Sequence, residues 1–210
     1  MVIHGGGWRN GDKTKFAAQA AYLADQGFAA ACIGYRLLPE VTFPAPIVDC
    51  KAAVRWVRAN AAKYGIDPDR LGATGGSAGG HLTAMLASSH KVAELEGDGG
   101  NAGVSSRIQA AVAMAAPGDM SAYATRTGAS AELATLISPM THIDADSAPM
   151  LMLHSTDDRT VPIAQSEYKE LGLDTGLIKI ENGGHAFWNS PQWFGEAMEK
   201  ATAFFKEQLK

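Results

Sequence analysis

Short apolar runs alternate along the chain with longer stretches of helical spacing, the pattern of parallel strands joined by crossover helices. Met1–Ile3 reads as the end of a strand, and Lys13–Gln26 carries alanine-rich helical spacing that stops at Gly27, a suitable C-cap. Phe28–Ile33 follows as a buried strand. Pro39, Pro44 and Pro46 make Tyr35–Pro46 loop-like, and proline suits the first turn of the helix expected next, whose apolar face carries Ile47, Val54, Trp56 and Val57. YGIDPDR closes that helix with a turn, and Leu71–Thr74 is a short strand leading into GGSAGG, after which helix resumes through His81–Ser88. Lys91–Ser106 is a surface loop by composition, and Ile108–Ala115 is the next strand. Met150–His154 and Leu177–Ile180 are the last strands, with an amphipathic helix at Gln165–Leu171 between them and another over Pro191–Leu209. Residues 117–149 have weak periodicity and much Ser, Thr and Ala, so they are expected to form a small insertion over one end of the sheet. The class is α/β, in one domain over residues 1–210.

Composition narrows the partners. A chain of 210 residues, 46% hydrophobic, suits a single core, and a net charge of −4 gives no reason to expect nucleic acid. The partner expected is small and uncharged or weakly charged. No apolar run approaches the ~18 residues of a membrane span, and the opening MVIHGGGW lacks the basic and apolar regions of a signal peptide. These features predict a soluble, cytoplasmic protein. Cys32 and Cys50 are too few for a disulfide framework and read as buried thiols, although sequence leaves a bridge between them open.

Gly75-Gly76-Ser77-Ala78-Gly79 fits G-x-S-x-G at a strand-to-helix junction, where a sharp turn lifts a serine hydroxyl above the sheet. A side chain at either flanking glycine would collide with the neighbouring strand or helix. The pattern alone is modest evidence, since a tight structural turn also produces it. His4-Gly5-Gly6-Gly7 adds weight, because three glycines after a short strand suit a loop whose amides approach a ligand closely. Backbone N–H groups of Gly6, Gly7 and Ala78 are the expected oxyanion donors, each worth about 3 kcal/mol against developing charge. A serine needs a base and an orienting carboxylate, and in this arrangement the chain order is Ser, acid, His. His185 sits in a glycine-flanked loop after a late strand. Spacing alone does not separate Asp157 from Asp158 as the acid. His4, His81 and His154 read as hydrogen-bonded structural residues, His90 and His142 as solvated. No histidine pair has metal spacing, so neither metal nor cofactor is expected.

With those residues in place, the chain resembles bacterial carboxylesterases of the α/β-hydrolase superfamily, in the branch related to hormone-sensitive lipase and to acetyl-xylan and feruloyl esterase-like proteins. The matches run nearly the whole length: HGGGW at His4, YRL at Tyr35, FPAPIVD at Phe43, YGIDPDRLGATGGSAGGH ending at His81, HSTDDRTVP at His154 and GGHAFW at Gly183. The resemblance implies an α/β-hydrolase fold with a mostly parallel sheet of about six strands. It implies Ser77 as nucleophile, His185 as base and Asp158 as acid, with Gly6, Gly7 and Ala78 as oxyanion donors. Trp8 and Trp188 are expected to wall the pocket, ordinary packing being an equal reading for Trp188. Arg36 and Asp49 are expected to form a structural ion pair.

Family members normally carry two further strands, and in the lipase-related branch a helical cap, ahead of the HGGG loop. The resemblance therefore implies an N-terminally truncated fold with an open acyl pocket, suited to small, water-soluble esters. It also leaves Phe28–Ile33 as a sheet edge, where pairing with a second copy as a homodimer, or loss of upstream sequence, is expected. Competing readings are an aryl-formamidase-like amidase and a non-catalytic hydrolase-fold binding protein.

Overall fold

The computed structural model describes residues 1–167 and 175–210. In chain order it consists of β1 (Val2–Ile3), α1 (Ala17–Asp25), β2 (Cys32–Ile33), α2 (Ala45–Ala59), α3 (Ala61–Tyr64), β3 (Gly72–Gly76), α4 (Ala78–Ser88), β4 (Ala110–Met114), α5 (Ser121–Thr127), α6 (Ala131–Leu136), β5 (Met150–Ser155), β6 (Thr175–Ile180) and α7 (Pro191–Gln208). The strands form one parallel sheet in the order β2-β1-β3-β4-β5-β6. Because successive strand side chains point to opposite faces, β4 serves two cores. Ala111 and Ala113 join Leu82, Met85, Ile47 and Val54 of α4 and α2 on one face. Ala110, Val112 and Met114 join Leu23, Met198 and Phe205 of α1 and α7 on the other. Every residue of α4 is buried, since it lies between the sheet and α2, and its sequence accordingly shows no polar face.

Three expectations are modified. The strand expected at Phe28–Ile33 is ladder-paired only at Cys32 and Ile33, on the sheet edge, because β1 offers only Val2 and Ile3 as partners. The loop at Lys91–Ser106 is not simply a surface segment. Leu95 is fully buried, and Glu96 accepts hydrogen bonds from Lys51 Nζ (2.7 Å), Arg55 Nη1 (3.2 Å) and Ser106 Oγ (2.8 Å). The helix expected at Gln165–Leu171 falls largely outside the described residues; Gln165 and Ser166 lie in one 3-10 turn at Ile163–Ser166, which ends before Glu167. Arg36 and Asp49 do pair, at 2.7 Å, and the Arg36 amide also donates to Asp49 Oδ2. Both cysteines are free, Cys50 buried and Cys32 half-buried.

Residues 117–149 fold as α5, α6 and a 3-10 turn at Pro139–Thr141, and they dock beside the first loop through aromatic and polar contacts. Tyr123 of α5 stands edge-on to Trp8 and Phe43. The Trp8 indole donates to His81 Nδ1 (3.3 Å), and His81 Nε2 in turn donates to the Ile137 carbonyl (2.7 Å). Both ring nitrogens are thus satisfied by a neutral imidazole. Burial pushes the pKa of His81 down to about 4 from the ordinary 6.5. As pH falls through that window the unfolded chain binds a proton at this residue and the folded chain does not, so stability declines, by on the order of 3 kcal/mol from His81 alone. Urea midpoints taken at about pH 7.5 and about pH 4.5 check this: wild type loses stability on acidification, and His81→Asn, though less stable at neutral pH, shows a shallower slope.

Candidate active site

β3 ends at Gly76 and α4 begins at Ala78, which leaves Ser77 alone to turn the chain between them. It does so at φ 56° and ψ −118°, a conformation a side-chain-bearing residue rarely adopts. Its own N–H donates to the Met114 carbonyl of β4 at 2.9 Å, and its carbonyl accepts the His81 N–H at 2.9 Å. The flanking glycines are there for space. A Cβ on Gly75 would lie 2.5 Å from the Ile3 carbonyl oxygen, and one on Gly79 would lie 2.1 Å from the same atom. The collision expected from sequence is therefore with the backbone of β1 and, for Gly75, also with the Gly79 carbonyl oxygen of α4 at 2.6 Å.

The glycine-rich first loop lies against this turn. A Cβ on Gly5 would fall 2.6 Å from the Gly76 carbonyl oxygen and 3.5 Å from Ser77 Cβ. Gly6 and Gly7 follow with φ of 120° and 61°, and the Gly6 carbonyl accepts the Arg9 and Asn10 amides in a tight turn. The loop is fixed from behind. His4 stacks on Tyr35 with ring centroids 4.3 Å apart, the Tyr35 hydroxyl donates to the His4 carbonyl (2.9 Å), and Leu38 N–H donates to the Trp8 carbonyl (2.8 Å). Ala78, buried, opens the eleven-residue helix α4.

From the far half of the sheet two loops reach the serine. His185, after β6, places Nε2 2.8 Å from Ser77 Oγ and Nδ1 2.7 Å from Asp158 Oδ2. A carboxylate only accepts, so Nδ1 carries the proton and Nε2 is free to accept from the hydroxyl. The second oxygen of Asp158 accepts the Thr160 and Val161 amides at 2.8 and 2.9 Å. Asp157, the competitor, faces elsewhere: its Oδ1 accepts from the Ser155 hydroxyl (2.6 Å) and the Gly184 amide (2.9 Å). Those two bonds hold its carboxyl below the usual carboxylate range.

His154 lies beneath the acid, its Nε2 3.3 Å from Asp158 Oδ2 and 2.8 Å from the Val161 carbonyl, its Nδ1 2.7 Å from Ser166 Oγ. Burial pushes its pKa down, so the contact with Asp158 is that of a neutral imidazole and not an ion pair. The two tryptophans separate. Trp8 is buried in the aromatic cluster with Phe43, His81 and Tyr123. Trp188 is buried in the core behind the histidine, edge-on to the His185 ring and so close under β3 that a Cβ on Gly76 would lie 2.4 Å from it. Its contacts are those of a support for the imidazole.

Two histidines expected in solvent are not there. His142 is half-buried with Nε2 2.8 Å from the Leu136 carbonyl, and both ring nitrogens of His90 are shielded from solvent with no hydrogen-bond partner among the described residues. Among the described residues, His90, Asp144 and Asp146 bring one possible ligand atom each within 4.8 Å of the others. Lys91 already bridges both carboxylates there, at 2.7 and 2.5 Å. Sequence spacing could not show this group, because it joins the end of α4 to a loop more than fifty residues away.

Known proteins are similar to this chain in sequence and fold. The BD-FAE family model matches residues 1–171. Two curated relatives from Mycobacterium tuberculosis are similar: "Probable carboxylic ester hydrolase LipM", 33% identical over 78% of this chain and 42% of its own, and "Esterase LipQ", 31% identical over 89% and 49%. The chain thus spans less than half the length of these relatives. Among solved structures, a thermophilic esterase of Thermogutta terrifontis with propionate bound superposes with a TM-score of 0.87 at 31% identity, covering 98% of this chain and 81% of that one. A truncated carbohydrate esterase from gut microbiota gives 0.88 at 31% identity, covering 99% and 84%. The fold is the α/β-hydrolase fold. Among the described residues, no helix is long and apolar enough to cross a membrane.

The backbone contacts at the serine turn make a directional prediction. Gly79→Ala forces a Cβ into the Ile3 and His4 carbonyls and is expected to cost about 3 kcal/mol, whereas Gly7→Ala, with open space but positive φ, costs about 1 kcal/mol. Urea unfolding midpoints of the two variants give the order.

Proposed function

Because the chain belongs to the BD-FAE family of α/β-hydrolase esterases, we propose that it hydrolyses short-chain carboxylic esters through a serine-bound acyl intermediate. The observation that carries the reading is the continuous hydrogen-bonded line from Ser77 Oγ through His185 to Asp158, with links of 2.8 and 2.7 Å. A hydroxyl is a poor nucleophile until its proton is taken, and a base within hydrogen-bond reach supplies that.

In the first half of the cycle, Ser77 Oγ bonds to the acyl carbon while its proton passes to His185 Nε2. Asp158 keeps the ring in the accepting tautomer and stabilises the imidazolium that forms. Negative charge collects on the former carbonyl oxygen, for which we assign the amides of Gly6, Gly7 and Ala78 as donors. The C–O bond to the alcohol then breaks, and His185 returns the proton to the departing oxygen. Water repeats the sequence: His185 takes its proton, the hydroxide oxygen bonds to the acyl carbon, and Ser77 leaves with the proton restored. The carboxylic acid is released. Nothing in this cycle calls for a metal or cofactor.

The preference for short acyl groups is supported by the propionate and butyrate bound in the Thermogutta structures. It also suits a first loop whose Gly6 and Gly7 are exposed. Nitrophenyl esters of increasing acyl length test both parts of the proposal. The expected result is highest kcat/KM at two to four acyl carbons, roughly, with Ser77→Ala lowering it by about 10³-fold or more. Ser77→Ala retaining wild-type rates would remove the proposed nucleophile. Faster turnover of an N-formyl aromatic amine than of the acetyl ester would make the chain an amidase.

A further inference from the structure

The adjacent carboxylates of Asp157 and Asp158 both face the loop that carries His185, but at different atoms. Asp158 meets the imidazole. Asp157 and Ser155 meet the two peptide units just ahead of it: Gly184 N–H donates to Asp157 Oδ1 (2.9 Å), Gly183 N–H donates to Ser155 Oγ (2.8 Å), and the Ser155 hydroxyl closes the triangle on Asp157 Oδ1 (2.6 Å). We propose that Ser155 and Asp157 form a clamp that positions His185, fixing its backbone so that the imidazole reaches Ser77. This rests on the reading of Ser77, His185 and Asp158 as the catalytic unit.

The need for a clamp follows from the loop's sequence. Two consecutive glycines are the most freely rotating backbone a chain can supply, and Gly184 sits at φ 67°, where glycine is at ease. Glycine is required at 183 for space, since a Cβ there would lie 2.8 Å from Ile180 and 2.9 Å from Phe187. The segment just before the proposed base is thus flexible by necessity, while a displacement of about 1 Å at a reacting group can cost about 10²-fold in rate. The clamp supplies what the glycines lack. Ser155 is buried and locked in register, paired with Ile180 at the end of β5, so its hydroxyl is a fixed point. One residue on, Thr156 reinforces the same junction: its N–H donates to the Ile180 carbonyl (3.0 Å) and its hydroxyl accepts the Asn182 amide (3.3 Å). Asp157, in contrast, is exposed. Removing its carboxylate opens no cavity, so loss of the clamp is separable from loss of the fold.

The test compares Asp157→Ala, Asp157→Asn and Ser155→Ala with wild type and Ser77→Ala. Turnover of a short nitrophenyl ester and the rate of covalent labelling by a fluorophosphonate, read by intact mass, are both measured. Asp157→Ala is expected to lower kcat and the labelling rate by about 30-fold, with KM within about twofold and an unchanged far-UV circular dichroism spectrum. Asp157→Asn keeps an oxygen that can accept both hydrogen bonds and is expected to recover the rates to within about threefold of wild type. Ser155→Ala, losing both of its contacts, falls at least as far as Asp157→Ala, and the double variant falls no further than the worse single one. The proposal is overturned if Asp157→Ala stays within about twofold of wild type, if Asp157→Asn is as slow as Asp157→Ala, or if the loss lies in KM. Ser77→Ala separates the layers. If it labels and turns over like wild type, the catalytic reading itself fails; if it is inert while Asp157→Ala runs at full rate, only the clamp fails.

Discussion

One residue with a side chain, held at positive φ between a strand and a helix, sets the terms for the rest of the molecule. Ser77 adopts that conformation because α4 is pressed so closely onto β1 and β3 that Gly75 and Gly79 have no room for a Cβ. Such a turn is tolerated only where the surroundings over-determine it. Here they do: the serine amide is tied to β4, its carbonyl to the first turn of α4, and the whole of α4 is buried beneath α2. The reward is a hydroxyl that projects above the carboxyl ends of the strands, where the loops after β1, β5 and β6 also end. In open parallel sheets that edge is where ligands bind.

Convergence on the serine is built from backbone contacts more than from long side chains. The first loop is stacked from behind by Tyr35 through His4, and the acid loop is held by the Thr160 and Val161 amides on Asp158 and by buried His154 under the same turn. The His185 ring rests on Trp188, itself wedged under Gly76. A single core cluster therefore supports both the serine turn and the histidine. Repacking at Trp188 would be felt at both ends of the hydrogen-bonded line.

Much of this was legible in the sequence because the decisive features are short-range. A glycine-flanked serine between an apolar strand and a helix, and a glycine loop after a strand, are local patterns whose physical cause is steric. Five of the six expected strands appear close to where the apolar runs put them. The sixth, Phe28–Ile33, is apolar enough for a longer strand, but a strand needs a partner and only Val2 and Ile3 provide one. What sequence could not reach was long-range. His90 carries no local mark of burial; its surroundings come from a loop more than fifty residues away. Likewise Asp157 and Asp158 are equivalent in spacing, and only the fold aims one at an imidazole and the other at a peptide N–H. Trp188 could equally have faced ligand or core, and the packing of β3 put it in the core.

The central claim is that Ser77, activated by His185, forms a covalent bond to the acyl group. Rapid acid quenching during turnover of an activated short-chain ester, followed by peptide mapping, observes that bond directly. The account predicts one acyl group per chain on the peptide containing Ser77, with no detectable adduct in His185→Ala. An acyl group mapped to another residue, or an adduct formed at the wild-type rate without the imidazole, would contradict it.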